Sequence, residues 1–150
     1  GMPSKAIMIG GGAIAAALLL VIIIPDQVFA VNVGTPALAE GINPIQGILI
    51  EAVTTFFLMF VIYGTAVDAR APKMAGLFIG LTVTLDILMA GPLTGAAMNP
   101  ARHLGPALFS GQILSSYIYW IGPIAGAVGA ALLYHHVLDD AFEAPEEARA

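Results

Sequence analysis

The chain has 150 residues with five basic and ten acidic side chains, a formal charge of −5 and no cysteine; 59% of it is hydrophobic and 10% charged. Soluble domains run near 45–50% apolar and about 25% charged, so this chain has too few charges to coat a water-facing surface. Collagenous, disulfide-rich and disordered classes fall too, for want of a glycine period, cysteines and polar bias, and five scattered bases make no nucleic-acid patch. What remains is an integral membrane protein.

A spanning helix needs about 20 mostly apolar residues to cross about 30 Å of hydrocarbon. Four stretches qualify. Residues 6–24 are charge-free and stop at Pro25-Asp26; no small-residue cleavage pattern follows, so no signal peptide is read. Residues 45–67 are apolar apart from Glu51, and Asn43, Pro44 and Gln46 predict a capping box at their start. Residues 74–90 are apolar apart from Asp86, and residues 113–138 are charge-free and close at Asp139-Asp140. The intervening 26–41 loop has turn composition. Lys5, Arg70 and Lys73 mark the ends expected to face the cytoplasm, which puts the 26–41 loop outside and the C-terminus inside. Residues 139–150 hold five of the ten acids and read as a solvated cytoplasmic tail.

Small residues recur at helix-packing spacing: Gly76 with Gly80, Gly122 with Gly126, and Ala125 with Gly129. Such pairs permit close backbone contact in lipid. Any single pair is equally explained by an Ala/Gly-rich composition; together they predict a tight bundle.

Between the third and fourth spans lies GPLTGAAMNPARHLGPALFSG, residues 91–111. It is too apolar for an ordinary loop and too broken by Gly and Pro for a span. Asn99-Pro100 predicts a helix start, and Gly111 ends that helix after roughly half a membrane thickness. A half-helix preceded by extended backbone is tolerated at membrane depth only where it is buried in protein or lines a watery cavity. A re-entrant pore element is expected. Arg102, three residues after the cap, is costly in a membrane and is a functional residue by default; the plainer alternative is that it snorkels to the interface. The expected fold class is therefore an all-α membrane protein with four transmembrane helices plus one re-entrant half-helix.

The stretch TGAAMNPARHLGPA, residues 94–107, with Gly122-Pro123 downstream, closely resembles the second signature loop of the aquaporin (major intrinsic protein) family. The resemblance covers nearly the whole chain to about Leu138. It implies that the four spans correspond to the family's third to sixth, in a truncated aquaporin bundle. Residues 1–138 form an aquaporin-like membrane domain incomplete at the N-terminus, where the family's first two spans and first Asn-Pro-Ala motif would stand; a C-terminal portion is expected. Asn43-Pro44-Ile45 is not that motif, since it opens a full span and reads as a cap.

The resemblance implies a pore motif of Asn99, Pro100 and Ala101, with Asn99 donating to single-file water. It implies backbone acceptors at Gly95, Ala96, Ala97 and Met98, and a selectivity filter of Ile87, Ala96 and Arg102. Glu51 would support the loop by accepting its N–H groups, with proton transport as the alternative. Ile87 stands where water-selective members typically carry His. His103 and Ala107 replace the Asp and basic residue of glycerol facilitators, and Tyr119-Trp120 resembles the aromatic pair of water channels. The implied function is a passive channel for water, with ammonia or other small neutral solutes. Its partners would be lipid and further copies in a homotetramer in the plasma (inner) membrane. An ion-coupled transporter half using Glu51 and Asp86, and a non-conducting fragment, are the alternatives. No nucleophile–base pair is present, so neither enzyme activity nor a cofactor is expected. A metal reading of His135-His136 competes with a helix-end role, because adjacent helical positions point apart.

Overall fold

A computed structural model describes residues 2–68, 71 and 73–139. Arg70 and the tail beyond Asp139, used above for orientation and domain limits, lie outside the described residues.

Six helices and short connecting turns make up the described residues: α1 (Met2–Ile23), α2 (Pro25–Ala30), α3 (Pro44–Ile62), α4 (Ala75–Thr94), α5 (Pro100–Ser110) and α6 (Ser116–Leu133). Among the described residues, three helical stretches are long and apolar enough to cross a membrane: Pro44–Val67, Ala75–Thr94 and Ile113–Leu138. A fourth apolar helix covers Met8–Ile23. Large side chains such as Ile45, Leu49, Leu85 and Leu88 are exposed along these helices, an arrangement suited to hydrocarbon rather than water.

Local chemistry sets the helix limits. Asn43 accepts from the Gln46 amide at 3.0 Å while its own N–H donates to the Gln46 side chain at 2.9 Å, so the predicted capping box starts α3. α3 and α6 both leave the α-helical path through a wider turn, over Tyr63–Val67 and Tyr134–Asp139. α4 runs to Thr94, four residues beyond the expected end, and stops where Gly95 turns left-handed with φ 83°. The expected loop after α1 contains a short helix instead. Pro25 suits its first turn, and Asp26 complements the positive helix end.

α3 packs along α6 on one side and α4 on another, while α5 packs against α1 and α6. Gly122 and Gly126 make the α3–α6 approach possible. A Cβ at Gly122 would lie 2.7 Å from the Ile48 carbonyl oxygen, and one at Gly126 would strike the Ala52 carbonyl. Gly76 and Gly80 have the same spacing but face open space; their expected role in close packing has no counterpart in these contacts.

Candidate functional site

Between α4 and α5 the backbone turns through Gly95, Ala96 and Met98, all with positive φ (83°, 44° and 51°). The expected extended strand is therefore an alternating, partly left-handed path. The cause lies underneath it. Glu51, on α3 and fully buried, accepts the Ala97 amide at 3.0 Å and the Thr94 hydroxyl at 2.7 Å on Oε1, and the Met98 amide at 2.7 Å on Oε2. The Ala96 amide donates to Thr94 Oγ1 at 3.2 Å. A buried carboxylate needs such donors, and two consecutive amides can converge on one carboxylate only if the chain curls.

In a trans peptide the C=O points opposite the following N–H. With the amides of Ala96, Ala97 and Met98 turned toward Glu51 and Thr94, the carbonyls of Gly95, Ala96 and Ala97 turn the other way. The Met98 carbonyl belongs to the next peptide and is not fixed by these bonds.

Asn99 caps α5. Its Oδ1 accepts the Ala101 amide at 2.9 Å, which turns the Nδ2 hydrogens away from the helix. Pro100 occupies the first helical position. The α5 N-terminus carries roughly half a positive charge, and Asn99 stands over it. Arg102 lies in the same turn and donates from Nη1 to the Gly34 carbonyl at 3.3 Å. α4 brings Ile87, about half exposed, to the same region.

These residues meet around a cavity of about 500 Å³. Ile87, Ala96, Ala97, Met98, Asn99, Pro100 and Arg102 line it, with Thr55, Met59 and Ile62 of α3 opposite. Of the candidate site residues, Gly95, Ala101 and Glu51 are not among those that line it. Asp86, one position from Ile87, is buried, with Oδ2 unpartnered among the described residues; the helical step separates the two side chains.

The network behind the loop extends further than sequence reasoning reached. Tyr119, fully buried on α6, donates its hydroxyl to the Thr94 carbonyl at 2.8 Å. His103, also fully buried, stacks on the Tyr119 ring with centroids 4.1 Å apart, and its Nδ1 lies 3.3 Å from Ser116 Oγ. Thr94, Tyr119 and His103 thus join α4, α5 and α6 beneath the loop. The one signal available in the sequence was their polarity within otherwise apolar segments.

A short helix capped by Asn99 thus faces a cavity beside Arg102, and the loop before it is braced by the buried Glu51. The sequence profile of the major intrinsic protein family matches residues 6–134, and the chain belongs to that family. It is an integral membrane protein of a family of channels, not enzymes. It is 52% identical over 94 residues to aquaporin NIP1-1 of Zea mays, covering 62% of this chain and 33% of that protein. It is 39% identical over 125 residues to aquaporin TIP2-3 of Arabidopsis thaliana, covering 79% and 50%. Against aquaporin TIP4-1 of Arabidopsis thaliana it is 42% identical over 113 residues, covering 72% and 45%. The chain spans between a third and a half of the length of these relatives.

Proposed function

We propose that this chain forms one wall of a passive channel for water, with ammonia and other small uncharged solutes as further permeants. The observation that carries this reading is the joint placement of Asn99, Ile87, Ala96 and Arg102 on one cavity. Water crossing such a wall gives up hydration and needs replacements. The Nδ2 hydrogens of Asn99 supply donors, and the carbonyls of Gly95, Ala96 and Ala97 supply acceptors, with Met98 continuing the series. Pro100 and Ala101 set the half-helix that carries Asn99. The positive end of α5 and the Arg102 guanidinium repel cations and hydronium, which neutral solutes do not feel.

Glu51 favours a channel over a coupled transporter. Its two oxygens already accept from three donors that fasten the loop, a structural role that needs no coupled ion. The charge pattern supports an orientation with the C-terminus in the cytoplasm. Exposed apolar faces and family membership support assembly as a homotetramer in the plasma (inner) membrane.

The test is stopped-flow light scattering on vesicles containing the conducting assembly. Water flux is expected to follow its osmotic gradient linearly and ammonia flux the gradient of uncharged NH3, and both are expected to ignore an imposed sodium gradient. Saturating flux that scales with such a gradient would establish a transporter instead.

A further inference from the structure

We propose that the left-handed turn Asn32–Gly34, anchored by Val33, is the positioning element for Arg102, and so sets the charge exclusion of the passage. The second clause rests on the channel reading above; the first does not. Three successive residues of this turn have positive φ: Asn32 at 50°, Val33 at 58° and Gly34 at 65°. Asn and Gly adopt this region readily, whereas for a β-branched residue it is an outlier. A simple connector between α2 and α3 would not need Val there.

The side chain explains the choice. Val33 is 3% exposed and packs on Ala17 of α1 and Val28 of α2, with Val21 and Phe109 against the same cluster. Three helices therefore grip the strained residue. Thr35 closes the turn, donating from Oγ1 to the Asn32 carbonyl at 2.7 Å. Ser110, at the far end of α5, lies 2.8 Å from the same hydroxyl, which makes Ser110 the donor of that pair. The Gly34 and Thr35 amides are taken by the Val31 and Asn32 carbonyls. The Gly34 carbonyl is turned outward and accepts from Arg102.

The consequence concerns where the charge sits. Arg102 borders two hollows: the cavity with Asn99 and Ile87, and a smaller one of about 330 Å³ beside Ala13, Leu20, Val33 and Pro106. A long side chain with several rotors can sample both. An acceptor on a rigid turn fixes the planar guanidinium at their boundary, where its charge faces any permeating cation. Val33 is thus a positioning residue, acting through Gly34 on Arg102.

The experiment uses the full chain in lipid bilayers with isotope-labelled arginine and solid-state NMR of the guanidinium groups. Arg102 is distinguished from Arg70 and Arg149 by comparison with Arg102→Lys. The order parameter of the Arg102 side chain is expected in the rigid range, about 0.85, falling below about 0.6 in Val33→Gly. Glycine tolerates the left-handed backbone but removes the anchor. Val33→Ile keeps the anchor and should restore rigidity. A mobile Arg102 in the unmodified chain, or one equally rigid in Val33→Gly, overturns the proposal. If Val33→Gly does not fold, Thr35→Val with Ser110→Ala loosens the turn by another route; the same loss of order is expected, and unchanged order overturns it. In vesicles where the unmodified protein conducts water, Val33→Gly should raise proton leak at least tenfold with water flux within twofold. Unchanged leak beside a mobile Arg102 removes the selectivity clause. The leak is read in vesicles that hold the chain in the conducting assembly; absence of water flux from that assembly counts against the channel reading alone, and the NMR comparison still decides the positioning role.

Discussion

Glu51 holds the site together through a few atoms, so its chemistry can be probed one atom at a time. Glu51→Gln keeps the size but offers one acceptor oxygen and an NH₂ group, which cannot accept from a backbone amide. At least one of the Ala97 and Met98 amides then lies buried without a partner, at a cost of about 1–3 kcal/mol. A lower unfolding midpoint, read from Trp120 fluorescence in detergent, is expected; an unchanged midpoint would mean that water already shares these amides. Ile87 works differently, because it faces the cavity and fastens nothing. Ile87→His should leave stability nearly unchanged, narrow the passage and lower ammonia flux relative to water severalfold in vesicles. If that ratio stays fixed, Ile87 does not line the narrow point. Arg102→Val removes a fixed charge from a low-dielectric constriction, which lowers the barrier to cations far more than to water. Proton-driven dye quenching should therefore show a large rise in leak with water flow retained. No rise would mean that Arg102 lies off the conducting path.

At the scale of elements, identical spacing has opposite consequences in two helices. A methyl at Gly126 would meet the Ala52 backbone, whereas one at Gly76 meets nothing within 4 Å. Gly126→Ala should thus force α3 and α6 apart and destabilise by about 1–3 kcal/mol. Gly76→Ala should be neutral or stabilising by about 0.5–1 kcal/mol through helix propensity. Thermal unfolding of the two variants side by side checks this, and equal effects would contradict the crossing described. The contrast also shows what a sequence can and cannot carry. Helices α3, α4 and α6 were legible because apolar length is a local property, and the α3 start was legible because Asn43 and Gln46 act on each other. The break at residues 95–99 was legible from Gly, Asn and Pro. Which glycine pair is buried was not, since that depends on what packs opposite. The curl of the loop was hidden for the same reason: Ala96 and Met98 have no intrinsic taste for positive φ, and adopt it because Glu51, some 46 residues away in sequence, collects the Ala97 and Met98 amides while Thr94 takes that of Ala96. Thr94, Tyr119 and His103 are ordinary residues until three helices bring them beneath one loop.

For the molecule as a whole, the cavity that the described residues line is open rather than enclosed. Ile87, Asn99 and Arg102 are exposed on it, although a filter acts only when solute cannot avoid its groups. Selectivity by single-file passage requires walls close enough to strip a water of its neighbours, and one half-helix with one arginine supplies part of that perimeter. A complementary surface, with donors and apolar side chains facing Asn99 and Ile87, has to complete it. The chain spans between a third and a half of the length of the relatives matched here, and their remaining portions provide a ready source of such a surface. Reconstituted alone, the 150-residue chain is therefore expected to leave the osmotic permeability of liposomes at its background value. Co-expressed with the N-terminal half of an aquaporin, it should raise that permeability at least severalfold, and Arg102→Val in the same pair should then add a proton leak. The order of these outcomes matters, because complementation tests the wall and the leak tests the charge upon it. Strong osmotic flux from the chain alone would mean that copies of this one wall enclose the passage among themselves, with Asn99 and Arg102 repeated around its rim.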